Sequence, residues 1–208
     1  MKLVIDKRSL KTSLRWIQRA FLCAGILAIG YCAFVLGDAW LFQHRESQRL
    51  ERLLHDRQNA PVIPEAAPVS ASTQPMIGAD GLIGRIEIPR LHVSVVVVEG
   101  IDKPTLRRAV GHIPGTALPG QIGNIGIAAH RDTYFRPLRD IRRDDVVTLT
   151  TLRGDYRYGV VWTKIVKPED VAVMDPDGTE ILTLITCYPF YFVGSAPSRF
   201  IVRAKRVD

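Results

Sequence analysis

Residues 20–42, AFLCAGILAIGYCAFVLGDAWLF, form an apolar run whose only charge is Asp38. A helix needs about 20 such residues to cross the hydrocarbon core of a bilayer, so the run predicts a transmembrane helix. In front of it, Lys2, Lys7, Arg8, Lys11, Arg15 and Arg19 face Asp6 alone, a charge of +5 over residues 1–19. A basic flank of this kind is retained on the cytoplasmic side, which predicts a cytoplasmic N-terminus and an exported remainder. A cleaved signal would have a shorter apolar core, about 7–15 residues, closed by a small-residue cleavage site. Here the run passes without a break into a polar helical pattern, so an uncleaved anchor is expected.

The anchor also explains most of the formal charge of +7. Residues 20–80 carry −2 and residues 81–208 carry +4, with no basic stripe interleaved with aromatics. That distribution argues against nucleic-acid binding.

Beyond the span, residues 43–59 are charged and free of Gly and Pro, with a narrow stripe at Leu50, Leu53 and Leu54. They are expected to prolong the helix as a solvated stalk, since two heptads are too few to specify a coiled coil. A helix over 20–59 would be about 60 Å long, of which about 30 Å crosses the bilayer. Residues 60–80 are rich in Pro, Ala and Ser without a period, the composition of a semi-rigid linker.

From residue 81 the texture becomes short β-branched runs separated by turn residues. Strands are expected over 82–88, 91–98, 125–129, 145–151, 156–166, 180–186 and 200–206, with a short helix over 103–110 behind Asp102. A long Gly/Pro loop runs over 111–124, and a hairpin is expected around Arg153-Gly154-Asp155. Roughly eight strands in 81–208 with few helices predict a small closed or nearly closed β-barrel.

Three cysteines divide by place. Cys23 and Cys32 fall in the span, whereas Cys187 is alone in the exported domain and has no internal disulfide partner. Cys187 ends the run ILTLIT and precedes Tyr188-Pro189, where a proline forces the chain out of a sheet. A thiol at a strand end is accessible for nucleophilic chemistry, although a core cysteine would share the same composition. His130 likewise ends a strand. His92, read as mid-strand, and His112, in the Gly/Pro loop, compete with it, while His44 and His55 belong to the stalk. Arg199 opens the last strand, where a guanidinium can stabilise an oxyanion if that strand pairs with the one ending at Cys187.

Together these motifs resemble the sortase family. Thr183-Leu184-Ile185-Thr186-Cys187 matches the family's TLxTC motif, and Arg199 follows after a loop of the expected length. Ile127-Ala128-Ala129-His130-Arg131 resembles the histidine segment, with Ala129 where Gly is usual. The segment 111–120, GHIPGTALPG, resembles the family's approach to that strand. The run Cys187-Tyr188-Pro189-Phe190 and the compact size are most similar to class D, with class E the nearest rival.

The resemblance implies an eight-stranded sortase barrel with short helices behind an N-terminal transmembrane helix, in a bacterial cell membrane with the catalytic domain outside. It implies a cysteine transpeptidase that cleaves an LPxT-like sorting signal after Thr. Cys187 would be the nucleophile, His130 the general acid/base and Arg199 the oxyanion or substrate stabiliser. Thr186, Thr183 and Ala129 would bind or position substrate. The partners implied are secreted proteins bearing the signal and an amine acceptor in cell wall or pilin. No cofactor or metal is implied, and Glu169, Asp170, Asp175 and Asp177 are read as a solvated acidic loop. Two alternatives use the same sequence: a cysteine peptidase that transfers to water, and a non-catalytic β-domain that binds a surface protein.

Overall fold

The computed structural model describes residues 7–59, 77–78, 81–192 and 194–207. The expected linker, 60–80, thus lies almost wholly outside the described residues. The chain divides into two compact units, one ending at Leu41 and the other running from Phe42 onward.

The first unit consists of helix α1 as far as Leu41; α1 itself runs Lys7–Asn59 and begins inside the segment read as a basic tail. Its apolar side chains point outward on all sides, with Phe21, Leu27, Phe34 and Leu36 each more than 70 % exposed. A helix that is apolar all round is suited to lipid rather than to a protein core. Among the described residues it is the one helix long and apolar enough to cross a membrane.

The second unit is an eight-stranded closed barrel. Its strands are β1 (Leu82–Ile88), β2 (Val93–Glu99), β3 (Val110–His112), β4 (Gly123–Ala128), β5 (Val146–Thr151), β6 (Gly154–Val166), β7 (Glu180–Tyr188) and β8 (Ser198–Arg206). The order around the barrel is β1-β2-β3-β4-β7-β8-β6-β5. Six of the eight neighbouring pairs are antiparallel, while β2–β3 and β4–β7 are parallel. The β2–β3 crossover is made by α2 (Lys103–Arg108), capped by the Asp102 carboxylate accepting from the Thr105 N–H at 3.0 Å. Inside the barrel Ile86, Val97, Ile125, Ile127, Phe135, Leu149, Leu182, Leu184 and Val202 form one buried cluster.

The seven strands expected from the sequence are present with ends shifted by up to two residues, an eighth is added, and three differences matter. Pro89–Leu91 is a 3-10 turn closed by His92 at φ 53°, so β2 starts at Val93 and His92 is exposed in a turn rather than mid-strand. The helix ends at Arg108, which frees Val110–His112 to form β3 where a loop was expected. The β5–β6 turn is Leu152-Arg153, tighter than the three-residue turn expected.

The stalk differs more. It is helical as expected, but one face of it is packed rather than solvated. Leu50 is fully buried in a second cluster with Leu82, Val96, Val98 and Ala109, flanked by Phe42, Leu54 and Leu152. Gln43 forks onto the barrel, Nε2 donating to the Arg108 carbonyl at 2.6 Å and Oε1 accepting from the Val96 N–H at 3.0 Å. Arg85 adds an ion pair to Glu51 at 2.8 Å. The stripe that was too short for a coiled coil has the barrel wall as its partner.

An ion pair between exposed Arg90 and buried Asp145 secures the entry to β5. Asp145 accepts from Arg90 Nε at 2.5 Å and Nη2 at 2.6 Å, and from the Arg142 N–H at 2.7 Å. The Arg90 hydrogen bonds hold its carboxyl below the usual carboxylate range despite burial. A depressed carboxyl contributes stability that is complete above its unfolded pKa, about 3.9, and is lost as pH falls through the lower folded value. Asp145→Asn is therefore expected to flatten the decline in unfolding free energy below about pH 4, measured by urea titration across pH. Leu50→Ala is expected to destabilise the barrel unit by about 2–5 kcal/mol, whereas Leu53→Ala, at a 40 % exposed position, leaves the urea midpoint nearly unchanged.

Candidate active site

Side chains alternate between the two faces of a strand. On β7, Leu182 and Leu184 enter the core, which puts Thr183, Ile185 and Cys187 on the outer face. On β4, Ile125, Ile127 and then Ala129 enter the core, which puts His130 on the outer face as well. The parallel register pairs Ala128 with Ile185, and the Ala129 N–H donates to the Ile185 carbonyl at 3.2 Å, carrying the ladder past the strand end. Two residues further along, His130 and Cys187 line the same cleft. On the other side, β7 and β8 are antiparallel with Cys187 directly opposite Arg199. Thiol and guanidinium thus face outward on neighbouring strands about 4.8 Å apart, and the imidazole lies two residues past the end of a third.

These three residues line a single open cleft of about 350 Å³, with Arg131, Asp132 and the loop residues Gly194, Ser195 and Ala196. Cys187 and His130 are half-buried, and Cys187 is a free thiol. Arg199 Nη1 donates to the Ala196 carbonyl at 3.3 Å and the Ser198 carbonyl at 3.0 Å, which fixes one side of its fork against the loop. A water-accessible thiol between an imidazole and a guanidinium can act as a nucleophile, with a proton acceptor on one side and a stabiliser of developing negative charge on the other.

The three residues expected to bind or position substrate are all buried. Thr183, Thr186 and Ala129 are 0 %, 1 % and 5 % exposed, which leaves them no contact with a ligand in the cleft. They tie strands instead. The Thr186 hydroxyl donates to the Ala129 carbonyl at 2.8 Å, so the residue before Cys187 holds the residue before His130. The Thr183 hydroxyl donates to Asn124 Oδ1 at 2.7 Å and accepts from Arg203 Nη1 at 3.1 Å.

Other histidines are accounted for structurally. His112 is 2 % exposed, with Nδ1 2.6 Å from Glu99 Oε2 and Nε2 donating to the Ala117 carbonyl at 2.9 Å. It fastens β3 to the following loop and does not reach the cleft. In the acidic loop, Asp177 accepts from Thr179 and pairs with Lys205 at 2.9 Å, which pulls its carboxyl down to about 2.

Three features went unread in the sequence. Arg131 Nη2 donates to the carbonyls of Phe192 at 2.7 Å and Gly194 at 2.9 Å, and its guanidinium lies over the Phe192 ring. It straps the β7–β8 loop to the turn after His130. Tyr188, Phe190 and Phe200 pack ring on ring at the base of that loop. On the outer face of β4, Met174 covers Gly126 so closely that a Cβ there would come within 2.6 Å of the Met174 methyl. Arg131 closes the histidine segment itself, which is the one local signal available. Its partners, about 60 residues onward, have none.

Removing the Thr186 hydroxyl tests the tie between the two strand ends. Thr186→Val is expected to cost about 1–3 kcal/mol by orphaning the buried Ala129 carbonyl, and to slow alkylation of Cys187, while Thr186→Ser retains both. Unfolding midpoints and the rate of iodoacetamide labelling measure the two effects.

The model of the Sortase domain family matches residues 86–207. Sortase D of Bacillus subtilis (strain 168) is 32 % identical over 197 residues, covering 89 % of this chain and 95 % of its own. Sortase SrtE1 of Streptomyces coelicolor is 30 % identical over 142 residues, covering 59 % of this chain and 40 % of its own, so the similarity to the D type extends further. Among solved structures, the Clostridium perfringens Sortase D5 transpeptidase superposes with a TM-score of 0.56 at 28 % identity, covering 62 % of this chain and 79 % of its own. Family match, near full-length relative and shared barrel agree, and the chain belongs to the sortase family of cysteine transpeptidases.

Proposed function

We propose that this sortase is held in the membrane by residues 20–42 with its N-terminus in the cytoplasm, and that it acts outside on secreted proteins carrying an LPxT-like signal. The reading of the anchor is supported by the exposed apolar helix and the basic flank before it. The reading of the chemistry is supported by one observation: His130, Cys187 and Arg199 line one open cleft, with Cys187 directly opposite Arg199.

The chemistry follows from that order. Cys187 sulfur attacks the carbonyl carbon of the signal's Thr, and the pair of electrons moves to oxygen. Arg199 donates hydrogen bonds to that oxyanion, where the charge is largest. Collapse breaks the Thr–X peptide bond, and His130 supplies the proton that the departing amine needs. The thioacyl enzyme then meets a second amine, from cell wall or pilin. His130 takes up its proton as nitrogen bonds to the carbonyl carbon, and Cys187 leaves as thiolate. Atoms balance with one peptide bond broken and one formed, so no cofactor enters.

The purified full chain in detergent, given an LPxT peptide and a panel of amines, is expected to accumulate a thioacyl adduct on Cys187 and to release amine-linked product, both seen by mass spectrometry. Cys187→Ala removes the adduct and His130→Ala slows its formation by about 10²-fold or more. Release of free acid alone with every amine would instead assign a hydrolytic peptidase. An unlabelled, unreactive Cys187 would assign a binding domain.

A further inference from the structure

The docked part of α1 does more than bury Leu50. At the end of α2 the Arg108 carbonyl is one of the orphan acceptors that every helix leaves at its C-terminus. It receives two donors, Gln43 Nε2 at 2.6 Å and the Tyr134 hydroxyl at 2.8 Å. Gln43 stands one residue past the apolar span. Tyr134 stands in the turn that follows His130. The two side chains therefore meet on one atom and connect the first residues after the membrane segment to the turn that bears the imidazole.

Besides the Arg131 strap, the turn has three fastenings. Thr186 holds its start through the Ala129 carbonyl. Phe135, fully buried in the barrel core, holds its end and donates its N–H to the His130 carbonyl at 3.2 Å. Tyr134 is the third, and the only one of these that passes to α1. Burial raises the Tyr134 phenol above its usual range, so its hydroxyl remains a donor. Gln43 is fixed in turn, because its Oε1 accepts from the Val96 N–H at 3.0 Å. A rotation of its amide would forfeit both contacts and leave polar groups unpaired in a half-buried seam.

We infer that Gln43 and Tyr134 are positioning residues for His130, so that residues 42–59 of the anchor helix are a working part of the catalytic unit. The inference rests on the proposed role of His130 as general acid/base. An imidazole displaced by a fraction of an ångström still lies in the cleft but transfers its proton less well. The cost therefore falls on turnover and not on peptide binding.

The test uses the full-length chain in detergent micelles, at a temperature where circular dichroism shows every variant folded. Tyr134→Phe keeps the ring and removes only the hydroxyl. Gln43→Ala removes the other donor, and the double variant removes both. Each single change is expected to lower kcat for thioacyl formation on an LPxT peptide by about tenfold, with KM nearly unchanged. The double variant is expected to lose little more than the worse single variant, and the pH profile of Cys187 alkylation is expected to shift in all three alike. Wild-type kcat in Tyr134→Phe, additive losses in the double variant, or a change confined to KM would overturn the inference while leaving the sortase chemistry intact. A wild-type chain that forms no thioacyl adduct would instead remove both.

Discussion

The parallel pairing of β4 with β7 is the contact on which the site depends. The two strands are separated by the entire β5–β6 hairpin in sequence, yet six consecutive register pairs join them. A slip of one residue would move His130 to the inner face and put Ala129 in the cleft, because side chains alternate with a period of two. The register is therefore specified twice. Ile125 and Ile127 must enter the core on one face, and on the other Asn124 must meet Thr183. Thr183 is fully buried, and an unpaired hydroxyl there would cost about as much as a lost core methyl group or more. Side-chain hydrogen bonds at both ends of the pairing, Asn124 with Thr183 and Ala129 with Thr186, close the strands like two pins.

Outside that pair, the loops are bound to the barrel by arginines. Arg203 reaches the Val173 carbonyl at 3.1 Å and brings the β6–β7 connection down onto the outer face, where Asn124 Nδ2 meets the same carbonyl. Arg131 does the same for the β7–β8 connection. At the far end of β7, Glu180 gathers the Tyr158 hydroxyl, Arg206 and the Gly120 N–H, joining β6, β8 and the Gly/Pro loop. Long cationic side chains are suited to this, since the planar fork can satisfy backbone carbonyls that no strand partner reaches.

The sequence carried the strands well because their composition is local: β-branched runs, Pro89, Gly100 and the Arg153-Gly154 turn all mark themselves. It carried the three cleft residues because each lies within two residues of a strand end beside a turn, and motif spacing joined them. Other features depend on surfaces that do not exist until the barrel closes. Leu50, Leu53 and Leu54 look the same whether they face water, a second helix or a wall made of Leu82, Val96 and Val98. Thr183 and Thr186 sit in the motif itself, yet their roles are set by Asn124 and Ala129, nearly 60 residues earlier. β3 is only three residues long and lies within a Gly/Pro-rich stretch, where propensity argues against a strand and two barrel neighbours decide the matter.

Met174 gives the open face a definite length. It closes the outer surface of β4 over Gly126, and His130 marks the other boundary four positions later. At about 3.3 Å per residue these two positions are about 13 Å apart, the span of four extended residues. Any side chain at position 126 would push Met174 outward, so the seating of that loop on β4 depends on the missing Cβ of one glycine.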